Sequence, residues 1–229
     1  MIRVEPADEP ESFDEIVRKP GHRAIAELVG EEGLPARRGR PRTVVALTRE
    51  DIPADKFPPV WTHALPDLME AYGRLCAYVC IYIERVTGGG SVDHMLAKSR
   101  AWQDVYEWQN YRLACTLMNA RKNNYQDVLD PFEVEDGWFR LELVSYQVIP
   151  GEGLDPVIEA RVLATIKRLN LNDHDCLKVR EEYATAFFDG DIKLDYLRRR
   201  APFLAREIEW QGADAPMERQ VELGRNHVD

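Results

Sequence analysis

The sequence is short of cysteine, with four thiols in 229 residues. That is too few to staple a chain of this length, and it points to reduced thiols or a metal site rather than a disulfide framework. Long apolar runs are absent, so no segment reads as a membrane span. The opening stretch, MIRVEPADEPESF, is acidic and lacks the apolar centre of a signal peptide. The expectation is a cytoplasmic protein with no membrane partner. There is no Gly-rich phosphate loop of the GxxxxGK[ST] type, so any control by ATP must come from another protein. Internal repeats and low-complexity tracts are also missing. Positive charge is in deficit: 30 Lys and Arg stand against 40 Asp and Glu, a net charge of −10. Such a balance argues against indiscriminate binding to nucleic acid over the whole surface.

What is present is a chain with 45% apolar residues, enough for a real core. The basic residues are unevenly placed, at Arg37, Arg38, Arg40 and Arg42 and again at Arg198, Arg199 and Arg200. Residues 1–60 are rich in Pro, Gly and charge; they predict one short helix near 12–30, broken at Pro20-Gly21, and then an arm. From Leu65 an apolar stripe through Leu68, Met69, Tyr72 and Leu75 predicts a helix. The runs 78–86 (YVCIYIERV), 111–118 (YRLACTLM) and 138–148 (WFRLELVSYQV) are β-rich. Asn119 is a candidate cap for a helix running on through Lys122. Asp155-Pro156 opens another helix, with the acid as cap and proline at its first position. Two more are expected near 174–188 and 192–209, and 211–229 reads as a disordered tail. The fold class is α+β, mainly helical, with a small hairpin unit at its centre. The expected organisation is an arm over 1–60, a central unit over 61–150 and a helical part over 151–210.

The stretch SVDHMLAKS, 91–99, follows a triple glycine and sets Asp93 beside His94. Neighbours on a strand point to opposite faces, so the two side chains must do different things. Strand, loop, strand and helix make a ββα unit that carries Asp93-His94 on the first strand, Asn110 before the second and Asn119 at the helix. Folding that hairpin brings the first strand to the helix. Asp93 and Asn119 would then offer oxygens to one hard cation such as Mg²⁺, and His94 would act as general base on a water. An imidazole suits the task because its unperturbed pKa lies near working pH. Asn110 would hold the loop and so hold His94. Arg121 and Lys122 are candidate phosphate contacts.

Together SVDHMLAKS, YEWQNYRLAC and LMNARK resemble the HNH (ββα-metal) endonuclease family over about residues 76–131. More loosely, from about 60 to 210, the chain resembles the PtuB-type HNH proteins of retron and Septu anti-phage systems; the helix into CAY, the DHxxxKS run and IKRLNLNDHDCLKVREEY carry that wider likeness. The resemblance implies an HNH core embedded in a mainly helical domain, with Asp93 and Asn119 as ligands of Mg²⁺ or Mn²⁺. His94 becomes the base and Asn110 the loop-holding residue, both in the catalytic set, and Lys98 joins Arg121 and Lys122 at the nucleic acid. It further implies a nuclease of bacterial antiviral defence, acting on DNA by default or on tRNA, and working with an ABC/SMC-like ATPase of the PtuA type. Many relatives carry two Cys-x-x-Cys knuckles on a zinc. Here Cys76 is matched by Val79 and Cys115 by Met118, and Cys80 is displaced by one residue, so no structural zinc is expected. Val79 and Met118 are expected to pack in its place. The rival readings are a non-catalytic binding or regulatory subunit on the same scaffold, and a site-specific restriction or modification component.

Three further features have rival readings. Arg38-Gly39-Arg40-Pro41-Arg42 matches a short arm for an A·T-rich minor groove, through Arg38 and Arg40, or is a solvated basic loop. The aromatics Trp102, Tyr106, Trp108 and Tyr111 either stack on bases or pack the hairpin loop. Asn172-Asp173-His174-Asp175 either holds a cation or turns one helix into the next.

Overall fold

The computed structural model describes residues 1–33 and 43–213. Among the described residues the fold is mixed α+β and mostly helical, with seven α-helices and two two-stranded sheets. Arg38 and Arg40, and nearly all of the expected tail, lie outside the described residues.

The first helical run is continuous where a break was expected. A π-helical turn over Asp14–Arg18 leads directly into α1, Lys19–Leu28, with Pro20 in its first turn. Proline has no N–H to give the Ile16 carbonyl one turn back. A ring nitrogen of His63 meets that carbonyl instead, at 3.2 Å. The glycine has its own reason to be there. A Cβ on Gly21 would stand 2.2 Å from the Tyr106 ring, so only glycine lets the aromatic lie against the helix.

Helix α2, Leu65–Ala71, precedes a turn that replaces the expected strand over 78–86. The apolar residues there serve the core rather than a sheet: Tyr78, Val79, Cys80 and Ile83 are all buried. The chain doubles back, with the Cys80 amide donating to the Cys76 carbonyl and the Cys76 amide to that of Ile81. Cys80 takes φ +55, and the only ladder contact of the segment is an isolated bridge between Leu75 and Tyr82.

Strands β1 (Gly90–His94) and β2 (Tyr111–Cys115) pair antiparallel, with Asp93 opposite Arg112 and His94 opposite Tyr111. Arg112 is buried and anchors β2 by a two-pronged ion pair to Asp130, at 2.7 and 2.6 Å, while its guanidinium lies 3.5 Å from the Phe132 ring centre. Helix α3, Thr116–Lys122, follows without a loop. It starts earlier than expected: Cys115 is the cap residue, and Asn119 sits inside the helix. The Thr116 amide donates to the Gly89 carbonyl at 2.8 Å, which ends the ladder and turns the chain into the helix.

The β-rich run over 138–148 is split in two. Strands β3 (Phe139–Leu141) and β4 (Val148–Pro150) form a second hairpin. Helix α4, Pro156–Leu169, is capped by the Asp155 carboxylate, which accepts from the Val157 amide at 2.8 Å, as expected. Helix α5 spans His174–Phe188, with Asp173 as its cap. The expected last helix is two, α6 (Leu194–Arg200) and α7 (Pro202–Trp210). A residue before proline is pushed out of the helical region, and Ala201 takes φ −147. One apolar cluster runs from Phe13 and Val17 through Tyr78, Tyr111, Leu113 and Met118 to Leu204 and Ile208, so the hairpin is seated in the same core as the terminal helices.

Candidate active site

β1, the loop after it, α3 and Trp61 line a cleft of about 570 Å³, among whose residues are Asp93, His94, Lys98, Asn119 and Asn123. Three of the four residues expected at the site, Asp93, His94 and Asn119, line it, and the fourth supports it from behind.

His94 is buried and held at one nitrogen. Its Nε2 lies 2.9 Å from the Val105 carbonyl oxygen. A carbonyl only accepts, so Nε2 carries the proton and Nδ1 keeps the lone pair. The Trp61 ring meets the imidazole edge-on at 4.9 Å, and the Tyr111 ring does so at 5.2 Å. Burial, aided by the positive charges of Lys98 and Lys122, lowers the His94 pKa to about 3. The ring is therefore neutral at ordinary pH, the form a proton acceptor needs, but its lowered pKa makes it a weaker acceptor than the imidazole near working pH that the sequence led us to expect.

Val105 is itself placed by a closed loop. Asn110 accepts from the Leu96 amide at 2.7 Å through Oδ1, and through Nδ2 it donates to the carbonyls of Leu96 and Asp104 at 3.2 and 3.0 Å. Its side chain thus ties both ends of the 95–110 loop, one residue from Val105. The Tyr111 hydroxyl also donates to the Val105 carbonyl, at 2.9 Å. Asn110 has the loop-holding geometry expected of it, and it does not line the cleft.

Asp93 points to the other face of β1, towards α3. One carboxylate oxygen takes the Tyr78 hydroxyl proton in a short bond. The other lies 3.2 Å from Lys122 Nζ. Burial raises the Asp93 pKa, while the Lys122 cation and the Tyr78 hydroxyl oppose that shift. Burial also holds Tyr78 well above its usual range, so the phenol stays protonated and donates. Asn119 donates from Nδ2 to Ser91 Oγ at 3.1 Å and to the Val92 carbonyl at 3.3 Å. The carbonyl partner fixes the amide's orientation and leaves Oδ1 as its acceptor. The set at the cleft is thus one carboxylate, both of whose oxygens already accept from protein donors, and one amide oxygen. That composition fits Mg²⁺ or Mn²⁺, which take oxygen donors and keep several non-protein ligands. Among the described residues no group of three or more His, Cys, Asp or Glu gathers that could hold a metal ion.

The expected phosphate contacts need correction. Lys122 is fully buried, and its ammonium is spent on Asp93 and on the His94 carbonyl at 2.7 Å. A helix residue three positions after Asn119 shares its face, so Lys122 points inward with it. Arg121 points away from the cleft: it pairs with Asp173 and donates to the Leu169 and Asn170 carbonyls at 3.0 and 3.2 Å, closing the end of α4. Lys98 remains a phosphate candidate. It lines the cleft, half-buried, with Nζ 4.2 Å from the Trp61 ring centre, and burial lowers its pKa. Tyr106, Trp108 and Tyr111 are core residues, and Trp102 donates to Glu50, so the packing reading of these aromatics holds. Asn172 donates to and accepts from the Val148 backbone and Asp173 caps α5, which makes 172–175 a helix connection.

Trp61, Tyr78 and the Val105 carbonyl were not legible in the sequence. The one sequence signal that touches Tyr78 is its place in the CAY run, which gives no role to the phenol. No protein-family model matches this chain, and no curated protein matches it.

Proposed function

We propose that this chain is a metal-dependent nuclease that hydrolyses phosphodiester bonds within nucleic acid, DNA by preference, using an HNH-type ββα core. The observation that carries the reading is the state of His94: neutral, tied at Nε2 by a backbone carbonyl, with its Nδ1 lone pair left over, on the same cleft as Asp93 and Asn119. In this reading Nδ1 takes the proton of the attacking water. The imidazolium so formed is disfavoured by burial, so the proton is held only briefly and returns to solvent or to the leaving oxygen. Asp93 and Asn119 would hold the cation, which would polarise the phosphate and steady the leaving oxygen. Lys98 and the Trp61 face beside it are the contacts for the strand.

The pairing with an ABC/SMC-like ATPase and a role in anti-phage defence rest on the resemblance of the motifs alone. A second reading has one observation in its favour. Both oxygens of Asp93 already accept from protein donors, which suits a scaffold kept for binding rather than cutting.

The test is cleavage of supercoiled plasmid and of total tRNA by wild type and His94→Ala, with Mg²⁺, Mn²⁺ or chelator. Metal-dependent cutting should fall by about 10²-fold or more in the variant, the scale of a lost general base. The substrate that is cut decides DNA against RNA. Equal silence of both proteins, alone and with a co-purified partner, would favour the binding reading.

A further inference from the structure

Cys76 and Cys115 come from different parts of the chain and meet behind the cleft. The Cys115 amide donates to Cys76 Sγ at 3.3 Å, which brings the Cys76 sulfur against the Cys115 backbone. The surrounding backbone fixes the approach. The Ala77 amide donates to the Leu113 carbonyl at 2.9 Å, docking the 76–81 turn on β2, and Cys115 closes the β1–β2 ladder opposite Gly90. The two thiols differ in character. Cys76 is buried in the core, while Cys115 is partly exposed and stands at the N-terminus of α3. The other cysteines are separate: the Cys80 thiol turns to the carbonyls of Ala77 and Tyr78, and Cys176 lies on α5 beside Arg121.

We propose that Cys76 and Cys115 form a peroxide-sensitive dithiol, with Cys115 attacking and Cys76 resolving, whose disulfide clamps the 76–81 turn to the start of α3. The Cys115 thiolate attacks one oxygen of hydrogen peroxide; the O–O bond breaks, hydroxide leaves and takes up a proton, and a sulfenic acid remains. Cys76 then loses its proton and attacks that sulfur, and water departs as the S–S bond forms. Two thiols lose two electrons and one peroxide becomes two waters. The link would hold fast the junction from which α3 carries Asn119 and Lys122 to the site. This device does not depend on whether the cleft cuts nucleic acid.

The experiment treats the reduced full chain with hydrogen peroxide near stoichiometry and maps its peptides without reduction. The expected result is one cross-linked peptide joining Cys76 to Cys115, a loss of two titratable thiols and recovery of both with dithiothreitol. The oxidised wild type should melt several degrees higher than the reduced one, and Cys115→Ser should show no such rise. A Cys115 sulfinic acid with Cys76 untouched would overturn the proposal. So would a link between another pair, or an undiminished thiol count. The mapping on wild type stands even if a variant fails to fold.

Discussion

Lys122 lends its ammonium to Asp93 and to the His94 carbonyl at once, so one side chain secures both members of the adjacent pair. Removing it leaves a carboxylate buried without its cation. Lys122→Met should therefore cost about 3–5 kcal/mol in chemical denaturation, the penalty of a broken buried pair. Adding Asp93→Asn to that variant should recover part of the loss, because the stranded charge is then gone. An additive result would mean that the pair is not coupled. At this scale the sequence indicated which residues gather at the cleft better than how they are wired. Adjacent Asp and His on one strand imply opposite faces, and β1 presents them so. The buried role of Lys122 follows from its spacing to Asn119, but burial depends on packing that no local pattern reports. Tyr78 and the Val105 carbonyl reach the site only through long-range contacts, which is why no spacing disclosed them.

Among the elements, α1 shows propensity yielding to packing. Gly21→Ala would gain about 1 kcal/mol of helix propensity. The new methyl would meet the Tyr106 ring at 2.2 Å, and overpacking of a filled core costs about 1–3 kcal/mol. Tyr106 cannot easily yield, since its hydroxyl is tied to the Pro58 carbonyl at 2.9 Å. The variant should melt below wild type, and a higher melting temperature would mean that the ring swings aside at little cost. The same contest explains which elements could be read in advance. Helices α4 and α5 carry their own capping acids, Asp155 and Asp173, and stand where their sequences indicate. The run at 78–86 has strand composition but becomes a turn, because its apolar side chains find the core through a backbone reversal at Cys80. The β-rich run over 138–148 likewise divides at a turn. The Glu142 carboxylate there accepts from the Val144 and Ser145 amides at 2.9 and 2.7 Å, a local bond that composition does not announce.

Across the whole molecule, burial of a neutral histidine ties stability to pH. The folded His94 resists protonation down to about pH 3, whereas in the unfolded chain it titrates near its usual value of 6.5. Below that value the unfolded state binds the proton and the folded state does not. Stability should then fall with acidification by up to about 1.4 kcal/mol per pH unit. Metal-free wild type and His94→Gln, melted from pH 7 to 4.5, should show the gap between them changing with this slope, wild type losing more. A parallel pair of curves would remove His94 as the cause. Asp93 titrates in both proteins, so its contribution largely cancels. The Asp93–Lys122 pair also sets the electrical condition behind the cleft. The two charges sum to zero, so a divalent ion arriving there keeps most of its charge uncompensated by protein. That surplus is an invitation to a polyanion. On the nuclease reading proposed above, ion and nucleic acid would each raise the other's affinity by the same factor, and an acidic protein would gain attraction for a phosphate backbone where and when the ion is held, beyond what Lys98 supplies.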